Sequence, residues 1–63
     1  VAPRERACLE QVARGATDTE ICAELGLPLE AVYRALRRAR LRLRARNRSH
    51  AVHLALRWGL IHP

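Results

Sequence analysis

The chain has no apolar run near the ~18 residues that a membrane-spanning helix needs, and its start lacks the charged-then-apolar layout of a signal peptide. A soluble, cytoplasmic protein with no membrane partner is expected. Phe is missing, and there is one Tyr and one Trp. With so few aromatics, Trp58 reads as a cap on the core or a dimer contact rather than a platform for stacked bases. The two cysteines, Cys8 and Cys22, are too few for a disulfide scaffold, and each falls in a helical pattern where a free thiol acts as a small apolar side chain. His50 and His53 stand three apart, but the short Cys-x-x-Cys and His spacings of zinc sites are missing, so no metal is expected. No nucleophile is set beside a base and an orienting acid, and a domain this small offers no deep pocket. Neither an enzyme nor a cofactor is expected.

What is present is arginine. Residues 28–48 hold eight of the chain's twelve basic residues, all arginine, against one acid, Glu30. The six acids all lie in residues 1–30 beside three arginines, so that part carries −3 and residues 31–63 carry +9. Such asymmetry points to a polyanionic partner, a nucleic acid or an anionic membrane surface. At 63 residues the chain forms one small domain, 1–63, that buries only ~60% of its unfolded surface around a thin core. It opens at Val1-Ala2-Pro3 without a Met, and we expect it to be part of a longer protein with a sensor or receiver portion elsewhere.

Apolar residues recur at helical spacing, β-branched residues are sparse, and Ala, Leu, Arg and Glu dominate. The fold class is therefore all-α, a compact four-helix domain with helices at roughly 3–14, 18–25, 29–44 and 48–58. Pro3 suits a first helical turn, and Ala7, Cys8, Leu9, Val12 and Ala13 supply the first buried stripe, ended by Gly15. Thr17 and Glu20 have the spacing of a capping box, and Ile21, Cys22 and Leu25 then face inward. Gly26 ends this short helix and Leu27-Pro28 redirects the chain, and proline at 28 can take the first position of the third helix. Two short helices joined by a glycine-containing turn describe a helix-turn-helix.

In the third helix Val32, Leu36, Ala39 and Leu43 form the buried stripe. The opposite face centres on Glu30, Arg34, Arg37 and Leu41, flanked by Tyr33, Arg38 and Arg44. A helix over 29–44 is about 24 Å long, enough to cross a DNA major groove and the phosphates beside it. After the periodicity breaks at 46–49, Asn47 or Ser49 can cap a fourth helix that Gly59 ends. Its apolar face is broad: Ala51 and Ala55 permit close approach, Val52 and Leu56 lie on one flank, and Leu54 and Trp58 lie on the other. The surplus suggests a surface buried on self-association.

The order P-R-E at 3–5, A-R-G at 13–15, T-D-T-E-I-C-A-E-L-G-L at 17–27, R-L-R-A-R-N-R at 42–48, and A-V then A-L-R-W-G-L-I within 51–61 resembles the LuxR-type (LuxR/GerE, NarL-like) helix-turn-helix domain of bacterial transcription regulators. The resemblance spans essentially the whole chain. It implies a third helix that enters the major groove, a fourth that pairs two subunits on a two-fold site, and a role as the output domain of a response regulator or ligand-sensing regulator. The chain departs from the family pattern at Pro28, where Ser or Thr is usual, and at Ala31, Tyr33 and Ala35, which replace common polar DNA contacts. Arg34, Arg37 and Arg38 are the residues present to compensate.

The expected partner is double-stranded DNA, placing the domain at the nucleoid when bound. Arginine releases counterions from phosphates, and its planar fork matches guanine O6 and N7. Arg34 and Arg37 are the foremost candidates for base edges, with Glu30 and Tyr33 beside them. Thr17, Thr19, Arg38, Arg42, Arg44, Arg46 and Arg48 are candidates for phosphates, the threonines from a helix laid across the backbone. His50, His53, Leu54, Leu56 and Arg57 are the candidate homodimer surface. Glu5 and Glu20 are expected to pair with basic neighbours such as Arg46 or Arg48. Two rivals share these features: a sigma-factor region 4, which does not need the surplus apolar face, and a protein-interaction module whose arginines meet an acidic partner.

Overall fold

The computed structural model describes residues 1–62; the expected domain limit at Pro63 lies outside them. It contains helices α1 (Pro3–Ala13), α2 (Asp18–Leu25), α3 (Leu29–Arg42) and α4 (Arg48–Arg57), with no strand among the described residues. Each start has a local cause. Pro3 occupies the first turn of α1, and the Glu5 carboxylate accepts the Ala2 N–H at 3.4 Å. Thr17 and Glu20 form the reciprocal capping box of α2, with N–H to side-chain distances of 2.8 and 3.2 Å. Asn47 caps α4 by accepting the His50 N–H at 2.8 Å.

α3 begins at Leu29 as expected, so Pro28 does not take the first helical position open to it: it is the N-cap, in extended backbone, and offers no side-chain cap. Its carbonyl accepts the N–H groups of Ala31 and Val32, so the turn is closed by backbone alone. Expected helix ends at residues 14, 44 and 58 prove one or two residues too long, because each helix closes with a tightened turn. Gly15, Gly26 and Gly59 take left-handed backbone there, the geometry glycine adopts without steric penalty.

α3 closes in the same way with an arginine. Arg44 lies at φ 55°, its N–H bonds the Leu41 carbonyl at 3.2 Å, and the Ala45 N–H reaches back to the Arg40 carbonyl at 2.9 Å. This is the Schellman pattern, in which a residue with a Cβ is strained by roughly 1–2 kcal/mol.

The core is a single cluster. Cys8 and Leu9 of α1, Ile21 of α2, and Val32, Ala35, Leu36 and Ala39 of α3 meet Ala51 and Ala55 of α4. Leu43 and Ala45 close it on one side, and Ile61, folded back after α4, fills it on another. The α3 stripe read from periodicity is buried throughout, and Ala7, Val12 and Ala13 line the margin of α1. Each fully buried Leu, Ile or Val contributes about 1.5–3 kcal/mol, and the several alanines let the helices approach closely while adding little area. Burial pushes the Cys8 thiol above its ordinary range, so it stays protonated at neutral pH, and both cysteines are free.

Replacing Arg44 by Gly should relieve the left-handed strain and raise unfolding stability by ~1 kcal/mol. Urea unfolding tests this; equal or lower stability would show that the turn is not strained.

Candidate nucleic-acid interface

The rotation of α3 decides which residues can meet a partner. With Val32, Ala35, Leu36, Ala39 and Leu43 held in the core, Glu30, Tyr33, Arg34, Arg37, Arg38 and Leu41 stand exposed along the other side. All four residues expected to reach bases lie on this face, in the N-terminal two and a half turns. Ala35, an expected polar-contact position in related domains, is buried instead.

Two grooves border the ridge. On the α1 side, Arg4, Arg34 and Arg38 line a cleft together with Glu5 and the small side chains of Ala2, Ala31 and Ala35. Toward the α3–α4 link, Arg37, Arg40, Arg46 and Arg48 line a wider, shallower groove with Tyr33 and Asn47. An exposed helix about 10–12 Å across, bordered on both sides by guanidinium groups, has the shape and charge to fill a major groove about 12 Å wide with a phosphate strand at each edge.

Among the described residues two ion pairs fix this frame, and they differ from those expected. Glu5, buried on α1, takes the Nε of Arg42 at 3.2 Å, and Glu20 serves its own helix cap. Arg48 meets Asp18 through two guanidinium–carboxylate contacts of 2.5 and 3.5 Å. The second pair ties the first turn of α2, with exposed Thr17 and Thr19, to the wall of the wider groove. Arg42 and Arg48 therefore brace the fold, whereas Arg34, Arg37, Arg38, Arg44 and Arg46 are exposed with no carboxylate within ion-pair distance among the described residues.

On α4 the candidate dimer residues divide. The His50 ring is engaged inside the chain, its Nδ1 accepting the Arg46 N–H at 3.0 Å. Leu54 and Val52 pack against the core margin, while His53, Leu56, Arg57 and Trp58 are exposed, Leu56 by 38% and Trp58 by 57%. The apolar surplus thus lies at the C-terminal end of α4.

Arg4 and Arg40 line the grooves but were not among the candidates read from sequence. Arg4 is distant in the chain and reaches the site only through α1–α3 packing. Arg40 does carry a signal: it is one turn beyond Arg37 and two beyond Tyr33 along the same flank of the helix. Among the described residues no cluster of three or more His, Cys, Asp or Glu is placed to hold a metal, and no helix is long and apolar enough to cross a membrane.

Short α2, a three-residue turn and an arginine-faced α3 on a small helical core define a helix-turn-helix domain of the DNA-binding class. The family model for bacterial regulatory proteins of the luxR family matches residues 1–55, and the chain belongs to that family. Its function is that of a DNA-binding domain of a transcription regulator, and domains of this family are not enzymes. No curated protein matches the chain.

Removing Arg42 leaves the Glu5 carboxylate buried without its cation. Arg42→Ala should cost about 1–3 kcal/mol of unfolding stability, whereas Arg38→Ala, on the exposed face, should stay within about 0.5 kcal/mol of the parent. Equal effects of the two changes in urea unfolding would show that the Glu5 pair does not brace α1 on α3.

Proposed function

We propose that this chain, as one domain over 1–63, is the output part of a longer dimeric bacterial regulator and binds specific double-stranded DNA with α3 in the major groove. The observation that carries the reading is the ridge of Arg34, Arg37 and Arg38, without an ion pair among the described residues, between two grooves that arginines border. Arg34 and Arg37 reach guanine edges, with Glu30 and Tyr33 beside them. Arg38, Arg44 and Arg46 follow the phosphates, helped by Arg4 and Arg40 and by Thr17 and Thr19 at the start of α2. Arg42 and Arg48 add charge there while holding the frame. Two copies pair through α4, using His53, Leu54, Leu56 and Arg57 with Trp58, and the C-terminal position of the exposed apolar residues supports this. His50 assists by shaping the α4 start. The regulator works in the cytoplasm, at the nucleoid when bound.

Counterion release sets the first test. With about five phosphates neutralised per subunit, log K should fall by ~4 to 5 for each tenfold rise in salt. No affinity for any duplex at ~50 mM salt would overturn the proposal in favour of an acidic protein partner. A second test separates base from phosphate contacts: Arg34→Ala and Arg37→Ala should each lower affinity for a preferred site by roughly 5- to 100-fold while weakening binding to random duplex far less. Losses equal on all sequences would assign these arginines to the backbone. For pairing, Leu56→Glu should abolish cooperative occupation of a two-fold site, as seen in gel-shift stoichiometry, and unchanged cooperativity would remove α4 from the interface.

A further inference from the structure

Glu30 is anomalous in this surface. It is the one acid of residues 28–48 and lies at the centre of the outward face of α3, where a polyanion is to be met. A carboxylate in the first turn favours the helix dipole, and α3 has no side-chain cap. That role is served equally at positions 29 and 31, which point elsewhere, so it does not account for position 30. Nor does Glu30 neutralise a neighbour: Arg34 is one turn further along the same face, yet no ion pair joins them. The residue is exposed, and its carboxylate has no hydrogen-bond or ion-pair partner among the described residues.

Against DNA such a group repels every phosphate and opposes non-specific binding. At a base edge it can only accept hydrogen bonds, so it is repelled by the O6 and N7 of guanine and the O4 of thymine; adenine sets its N6 amino group beside the N7 acceptor, whereas cytosine offers the N4 amino group with no acceptor next to it. We infer that Glu30 is a specificity-determining residue, selecting cytosine in each half-site through N4 and lowering affinity for all other duplexes. The inference rests on the reading that α3 faces DNA. Arg34 stands about 6 Å further along the helix axis, roughly two base-pair steps, so the two side chains address neighbouring but different pairs. Specificity then comes partly from a repulsive element, which an all-arginine face lacks.

The test compares the parent chain with Glu30→Gln and Glu30→Ala in selection from a random duplex library and in salt-titrated binding to a random duplex. Thermal melting shows that each variant is folded. The parent should enrich cytosine at one position of each half-site, by about 5- to 100-fold over other bases. Glu30→Gln should shift that position to adenine, whose N6 and N7 suit an amide. Glu30→Ala should flatten it and bind random duplex about 2- to 5-fold more tightly near 0.1 M salt, one repulsive charge being removed. An unchanged base profile in both variants, or random-duplex affinity that fails to rise in Glu30→Ala, would overturn the assignment while leaving DNA binding intact. A parent chain that binds no duplex would overturn the assignment together with the reading beneath it. The base preference is the decisive readout, since a carboxylate that merely supported the helix dipole would change melting without changing which base is selected.

Discussion

The apolar contact between α3 and the rest of the domain governs everything outside it. Val32, Leu36, Ala39 and Leu43, with Ala35, lie against Cys8, Leu9, Ile21, Ala51 and Ala55, and this fixes the helix in rotation as well as position. A helix carrying five arginines between residues 34 and 42 cannot bury them without large desolvation penalties. Core contact and charge exclusion therefore select the same orientation. The ridge lies opposite the stripe because the arginines of α3 cannot go inside.

The ion pairs complete the frame at little expense of the charged surface. Glu5 captures Arg42 near the C-terminal end of α3, and Asp18 captures Arg48 at the start of α4, so acids of the N-terminal half restrain the basic half at two points. The remaining arginines of the face have no ion pair among the described residues. Arg44, exposed, holds a left-handed turn that the other three helix ends give to glycine. The domain accepts local strain at the junction where α3 hands over to α4.

Much of this was legible in the chain because helical periodicity reports burial directly. The α3 stripe, the Thr17–Glu20 box, the Asn47 cap and the glycine stops each depend on neighbours within four residues, and the helices fall within two residues of their expected limits. The luxR-family assignment follows from the same ordered pieces. Partners set by tertiary packing were not legible. Glu5 meets Arg42 and not Arg46 or Arg48, and Asp18 takes Arg48, because long-range pairing depends on how helices cross. Ala35 was read as a lost polar contact, but its small side chain belongs to the core. Ile61 lies beyond the last helix, where periodicity has no pattern to extend, and Arg4 joins the site from the opposite end of the chain. Proline's φ suits both the N-cap and the first helical position, and only the backbone bonds that follow make Pro28 the N-cap.

The central claim is that the exposed face of α3 and its two bordering grooves are the DNA surface. Backbone amide and arginine Nε resonances followed by NMR, as a duplex is added at low salt, test it most directly. The largest changes should fall on Glu30, Tyr33, Arg34, Arg37, Arg38 and Arg46 and on the first turn of α2, with small changes around Leu9 and Cys8. Changes concentrated on the far side of α1, or on Leu56 and Trp58 without movement on α3, would contradict it.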